Sequence, residues 1–552
     1  MTIKKSKIGK VSATEKDPST CNSFTFWLDK DIEIRPFDIV KTSFSIGDKT
    51  STTFGLIQEI IHITDAPTHL TNYVSSDFGD VETKYATDRL GLTYVKADVI
   101  HNTENVFMPC PDGSIVEFVN ADEVRIALGL DKVKDPLPAG VFRMSNNIHV
   151  PITYNRSFVL GQDGAHMNIS GISGLATKTS YAMFVLNAIQ QTTSDVAFIL
   201  FNVKGDDLLR IDEYAPNIEK IKKDSTWKDL NLEPKPFSDV KYYYPFLGDS
   251  PETEYAFTPL NKKTLKEQAN RGKLKTYIYT YEEDKRKLEM MFANIDDPNY
   301  TMESIIAHID NDFEFNKLTN WQEFKDHLRS CCMSGKQTGN IPVQSWRKFS
   351  RLMDRALNNS LFQNIKSLSS NYHHSHLYDE ILAIQKNEVK VIDISKLEEH
   401  MQCFVFGDVI QAVKDLKFGQ TERTEEELPK KIIIFVDELN KYAPANAPKA
   451  SPLLQGILDI TERGRSQGII LFSAEQFRSA VHDRVKGNCS TNVYGRTNGI
   501  ETSKADYKVI PQTFKYMMTS LKQGCLLVEH PTFRSILRLE FPEPAYYHGM
   551  EE

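Results

Sequence analysis

Lys178 and Thr179 set a cation and a hydroxyl side by side near the end of the segment GISGLATKTS, residues 171–180. Polyphosphate chemistry needs this set: glycines that let backbone N–H groups close in, a lysine for the β/γ oxygens, and a hydroxyl for Mg²⁺. A phosphate loop is usually spelled G-x-x-x-x-G-K-[ST]. Here Thr177 precedes Lys178, and Gly171 stands one residue too far upstream. Alone, the segment is open to two readings, a respelled phosphate loop or an ordinary strand-to-helix turn. Read as a loop, it places Gly171, Ser173, Gly174, Leu175, Ala176, Thr177, Lys178, Thr179 and Ser180 around the nucleotide.

A second constellation lies far downstream. IIIFVDE (432–438) is an apolar strand that ends in Asp437 and Glu438. Two carboxylates at a strand tip suit ATP hydrolysis, with Asp437 and Thr179 positioning Mg²⁺ and Glu438 activating water. One helix later, GIILFSAEQ (468–476) ends in Gln476, a polar group placed to sense a γ-phosphate. Arg463 and Arg465 precede that strand, and Arg496 follows it in YGRTN. In a ring, such an arginine reaches a neighbour's nucleotide and stabilises transition-state charge. Each of these groups also has a plain structural reading: a buried strand entering a charged loop, or surface arginines.

These side chains need an α/β frame to hold them. HMNISGISGLATKTSYAMFVLNAIQQ reads as strand, loop and helix, and DVAFILFNVKGDD as the buried strand that follows, the opening of a parallel α/β unit. VKVIDIS (389–395), the DE strand, GIILFSAEQ and GCLLVEH (524–530) supply further strands. The preceding residues, 1–148, hold short strand-like runs such as SFTFWLD and DIVKTSFSI split by turn signals, which predicts a small β-barrel closed by a short helix at VRIALGL. The predicted fold class is α/β: a RecA-like P-loop ATPase domain (149–207 and 389–542) with the N-terminal barrel, a mostly helical insertion (208–388) and a C-terminal tail (543–552).

At 552 residues with 40% hydrophobic composition the chain can build several cores, and its net charge of −8 argues against a protein that coats nucleic acid generally. Seven cysteines without a C-x-x-C pair suggest reduced thiols and no zinc site. The first twenty residues lack a signal-peptide core and no apolar run reaches membrane-spanning length, so a cytoplasmic protein without a membrane segment is expected.

The residues together resemble the HerA family of hexameric ATPases, close to FtsK-like motor proteins. The resemblance runs through the barrel segment GKVSATEKDPSTCNSFTFWL, the lead-in and loop VPITYNRSFVLGQDGAHMNISGISGLATKTS, the acidic loop of FILFNVKGDD, and most specifically VDELNKYAP and ERGRSQGIILFSAEQ. It implies a homo-hexamer with ATP and Mg²⁺ at subunit interfaces and double-stranded DNA through the pore. It also implies a partner nuclease or sirtuin-like effector, with a role in antiviral defence or DNA end processing. The loop departs from the family at Ala176-Thr177. Two other classes stay open: a nucleotide-binding ring scaffold that activates an effector with little translocation, and a conjugation- or secretion-type motor.

Other features are weighed more plainly. His373, His374, His376, Asp379 and Glu380 form either a metal cluster or a polar loop. Arg347, Arg351 and Arg355 share a helical face that either tracks phosphates or is solvated. Asp206 and Asp207 either join a Mg²⁺ water network or end a strand, and Trp321 and Trp346 read as core.

Overall fold

The computed structural model describes residues 6–82, 90–106, 108–161, 163–172, 177–248, 256–293, 300–333, 338–364, 374–419, 423–424, 426–448 and 451–549. Ser173, Gly174, Leu175, Ala176 and His373 therefore lie outside the described residues. The chain forms two compact units.

The first unit holds residues 1–154, 510–517 and 525–540. Its strands β1 (Lys7–Val11), β2 (Ser23–Leu28), β3 (Ile39–Ile46), β4 (Lys49–Thr64), β5 (Gly91–Asn102) and β6 (Ile115–Phe118) close into an antiparallel barrel in the order β1-β2-β5-β4-β3-β6. Alternate residues point inward, and Ile8, Phe24, Phe26, Val40, Ile57, Val95 and Val116 fill the interior. β3 turns into β4 across two residues, where Gly47 takes a φ of 59°, open to glycine at little cost. The expected short helix is Ala121–Leu128, started by a reciprocal Asn120–Glu123 cap and stopped by left-handed Gly129. Strands β7 (Pro136–Arg143) and β8 (His149–Asn155) follow it, and β18 (Cys525–Glu529) and β19 (Leu537–Glu540) join them in the order β18-β19-β7-β8.

The second unit is built on nine strands. They are β9 (Met167–Ser170), β10 (Val196–Asn202), β11 (Val240–Pro245), β12 (Leu274–Tyr277), β13 (His374–Ser375), β14 (Val389–Asp393), β15 (Lys431–Asp437), β16 (Ile469–Glu475) and β17 (Thr491–Tyr494). All pair in parallel, in the order β13-β12-β11-β14-β10-β15-β16-β9-β17. β10, β14, β15 and β16 are almost wholly buried, which explains their mainly apolar sequences; Lys390 within β14 is buried and pairs with Glu388 at 3.2 Å. The fold is mixed α/β, and its parallel-rich sheet is consistent with a RecA-like P-loop ATPase. β16 lies between the loop strand β9 and the carboxylate strand β15. The C-terminal tips of these three strands therefore stand side by side, where open α/β sheets bind ligands.

Residues 208–388 carry helices, and three of the sheet's strands as well, β11 to β13. The helix Val343–Ala356 buries Trp346, Phe349, Met353 and Ala356 at helical spacing. Trp346 and Trp321 sit in the same core cluster as β10 and β15, and their indole N–H groups donate to the Thr338 and Tyr279 carbonyls. Trp346→Ala is expected to cost about 3–5 kcal/mol, read as a lower midpoint in a urea melt. Arg347 and Arg351 turn their guanidinium groups onto backbone carbonyls, and Arg355 pairs with Glu398 at 2.7 Å. His374 bonds to Thr276 and His376 pairs with Glu283 at 3.0 Å, while Glu380 meets Lys275, Tyr243 and Lys390. Among the described residues no group of three His, Cys, Asp or Glu side chains is placed to hold a metal ion. No helix among them is long and apolar enough to cross a membrane.

Candidate nucleotide-binding site

β9 delivers the chain to residues 171–180. Gly171 donates its N–H to the Glu475 carbonyl at 3.1 Å, and Ile172 donates to the Arg496 carbonyl at 2.7 Å. A Cβ on Gly171 would lie 3.1 Å from the Arg496 oxygen and from the Gly495 Cα. Both chains can approach there because Gly171 has no side chain. Beyond the loop, Thr177 opens a 16-residue helix, Thr177–Thr192, buried along most of its length. The first N–H groups of a helix have no partner within the helix itself, and its positive dipole end favours an anion.

Lys178 and Thr179 lie in the first turn of this helix. Lys178 is buried, and its Nζ has no hydrogen-bond partner among the described residues. Burial pushes its pKa below the ordinary lysine value, against the pull of Asp437 and Glu475. The nearest carboxylate is Asp437, with Oδ1 3.9 Å from Nζ. The Thr179 hydroxyl donates to Asp437 Oδ2 at 3.4 Å. A hydroxyl and a carboxylate offer the hard oxygen donors Mg²⁺ takes, so Thr179 and Asp437 fit that ion. A buried ammonium beside them without a hydrogen bond fits a phosphate oxygen, the remaining ligand such a site expects. Thr177 and Ser180 are buried in the same turn.

Glu438 follows Asp437 with φ 59° and ψ 47°, a left-handed conformation that non-glycine residues adopt sparingly. Its N–H donates to the Ala474 carbonyl at 2.7 Å, which pins the turn to β16. The carboxylate meets Lys441 at 2.7 Å and Lys204 at 3.5 Å. Burial raises its pKa, but the Lys441 hydrogen bond and the charges of both lysines outweigh it, so the group titrates below the usual glutamate value. Lys204 is brought there by the loop after β10, whose Gly205 carbonyl accepts from Asn202 Nδ2 at 2.9 Å. Asp207 lies on the same loop, and burial raises its pKa, with Asp206 adding to the shift.

β16 ends at Glu475, and Gln476 occupies the bend just beyond it, half-buried. Arg463 and Arg465 are both exposed, and neither guanidinium has a hydrogen bond or ion pair among the described residues. Arg463 lies in a π-helical turn, Ile460–Gly464, an irregularity common at functional sites. Arg496 is exposed and its Nε donates to the Thr519 carbonyl at 3.1 Å.

Four polar residues near this site do not stand out in sequence: Lys204, Lys441, Asn168 and Glu475. Glu475 is fully buried; desolvation lifts its pKa to about 7, opposed by Arg478, Asn168 and Lys178. The one signal available for Asn168 is a polar residue inside an apolar strand.

Glu475 gives a stability prediction. Its folded pKa of about 7 lies above the ordinary 4.5, so the folded state holds a proton that the unfolded chain releases between these values. Its contribution is intact at low pH and is lost as pH rises through about 7. The advantage of Glu475→Gln over the parent is expected to be smallest near pH 4.5 and largest above pH 7, measured as the difference in urea midpoints across this range.

No family model matches the chain, and no curated protein matches it. Solved structures do. The plasmid coupling protein TrwB in complex with the ATP analogue ADPNP is 10% identical, with a TM-score of 0.44 over 79% of this chain and 95% of its own. VirB4 of Thermoanaerobacter pseudethanolicus is 11% identical, with a TM-score of 0.41 over 74% and 96%. The genome packaging NTPase B204 of Sulfolobus turreted icosahedral virus 2, in complex with ATP-gammaS, is 14% identical over 30% and 73%, with a TM-score of 0.23.

Proposed function

We propose that this site binds and hydrolyses ATP with Mg²⁺, and that the chain is a HerA-like hexameric motor on double-stranded DNA. In this reading it serves a partner nuclease or sirtuin-like effector in antiviral defence or DNA end processing. The observation that carries the site reading is the buried Lys178 ammonium at a helix N-terminus, without a hydrogen-bond partner among the described residues and with Asp437 and Thr179 beside it. The ring, the DNA and the effector rest on the HerA resemblance.

Within the site each side chain has one task. The loop amides and Lys178 hold the β/γ phosphates, and Gly171 lets the loop turn closely over its neighbour. Thr179 and Asp437 are the residues that would hold Mg²⁺, which neutralises phosphate charge when bound. Glu438 accepts the proton of the attacking water. Gln476 contacts the γ-phosphate region from the neighbouring strand tip. Arg463 or Arg465 acts on the nucleotide of the adjacent subunit, and Arg496 is the third candidate. Free exposed guanidinium groups suit this task, because nothing in the subunit must be broken to extend them.

The alternative, a ring scaffold with slow turnover, is favoured by Glu438 itself. Two lysines hold its carboxylate, and a base so paired is weak. A conjugation- or secretion-type motor is a third reading.

The arginines test the ring. Arg463→Ala/Arg465→Ala is expected to bind ATP like the parent and to lose at least about 100-fold in kcat. Mixing it with Glu438→Gln subunits should restore part of the rate, because some interfaces then pair an intact Glu438 with an intact neighbouring arginine. Native mass spectrometry should show six subunits. A full rate in the double variant, or a mixture no faster than its two parts, sinks the trans assignment.

A further inference from the structure

Gln476 is flanked by two charged side chains that both turn inward and end on one amide. Asn168, fully buried on β9, donates its Nδ2 to Glu475 and to the Ser473 hydroxyl, the latter at 3.1 Å. Its Oδ1 accepts from Arg478 Nη1. Arg478 is 9% exposed, and its guanidinium lies 5.7 Å from the centre of the Tyr494 ring on β17. The carbonyl of Glu475 in turn accepts the Gly171 N–H at 3.1 Å. The bend that carries Gln476 is thus fastened at both ends to β9, two residues before that strand enters the phosphate loop.

A buried carboxylate and a buried guanidinium are costly to desolvate, and apolar residues of similar volume would fill the space without that cost. A side-chain amide offers a donor to the carboxylate and, on a separate atom, an acceptor to the guanidinium. Aspartate would face Glu475 with a second negative group, and leucine would satisfy neither partner. What the polar arrangement adds is geometry. It sets the position of the Gln476 bend by directed bonds instead of by packing alone.

We propose that Asn168 is a positioning residue that holds the Gln476 bend in register with the phosphate loop, through Glu475 and Arg478, without touching nucleotide itself. The inference rests on the reading of Gln476 as the γ-phosphate sensor. Asn168 fixes where the sensor stands, so its loss affects the step that uses the sensor. It leaves binding of a nucleotide without a γ-phosphate almost alone.

The test is a double-mutant cycle on Asn168→Leu and Gln476→Ala, read by steady-state ATP hydrolysis and by titration with a fluorescent ADP analogue. Asn168→Leu should lower kcat about 10- to 100-fold. It should leave the ADP Kd within about threefold, and add little to the loss already caused by Gln476→Ala. Arg478→Gln, which releases only one end of the clamp and leaves the Asn168–Glu475 bond, should show the same pattern more mildly; it carries the test if Asn168→Leu does not fold. Additive losses in kcat, or an ADP Kd that rises in step with the fall in kcat, overturn the inference alone. A parental kcat in Gln476→Ala overturns the sensor reading and the inference with it.

Discussion

Replacing Lys178 with methionine is expected to raise the Kd for ATP at least about 100-fold, which corresponds to about 2.7 kcal/mol. The same change should make the nucleotide-free protein more stable. Both effects follow from one observation: a buried ammonium with no hydrogen-bond partner, 3.9 Å from the Asp437 carboxylate. In the free protein this group is poorly compensated for its lost water, and burial depresses its pKa. Methionine keeps most of the stem and drops the charge, so the folded state loses a penalty. With nucleotide present the balance reverses, because charge-assisted bonds to phosphate disappear. Isothermal titration gives the first number and thermal melts without nucleotide the second. Lower stability together with unchanged ATP affinity would mean that Lys178 is a structural ion-pair partner of Asp437.

Glu438→Gln is expected to lower kcat by about 10²–10⁴ while leaving the ATP Kd within about threefold. Glutamine keeps the shape and the capacity to hydrogen-bond, and loses only the ability to take a proton. The left-handed backbone at this position is the kind of local strain that clusters at working sites. Losing the carboxylate also removes the ion pairs with Lys204 and Lys441, which are partly exposed and contribute about 1 kcal/mol or less to stability. Stability should therefore barely move. Because the Glu438 carboxyl titrates below its ordinary value of 4.5, the parent's kcat should hold toward acid pH and fall only below that value. An acid limb near neutral pH would assign the base to another group.

Much of this architecture is legible in the sequence, and its physical reasons are local. The barrel shows itself through strand runs separated by turn residues. The DE strand and the strand ending at Glu475 show themselves because a buried parallel strand is largely a run of apolar residues with its chemistry at one tip. β11 to β13 are harder to see. β11 is KYYY between valine and proline, and its tyrosines are buried with their hydroxyls accepted by Asp212, Glu380 and Gln268. Such partners are distant in sequence and carry no periodic signal. The same is true of Asn168, whose bonds to Ser473 and Arg478 span 305 and 310 residues. Polar groups that position others are set by long-range pairing, so a strand's hydrophobic pattern hides them. The C-terminal segment is a similar case. Read as a tail, it buries Tyr546 against Phe237 and pairs the Tyr547 N–H with the Glu213 carbonyl.

The most direct test is phosphate release from ATP by the parent protein, Lys178→Met and Glu438→Gln, each with and without linear duplex DNA. Magnesium-dependent release by the parent, raised by DNA and lost in both variants, is the predicted result. Equal rates in all three proteins, or no release and no bound ATP in any of them, would contradict the assignment of this site to ATP hydrolysis.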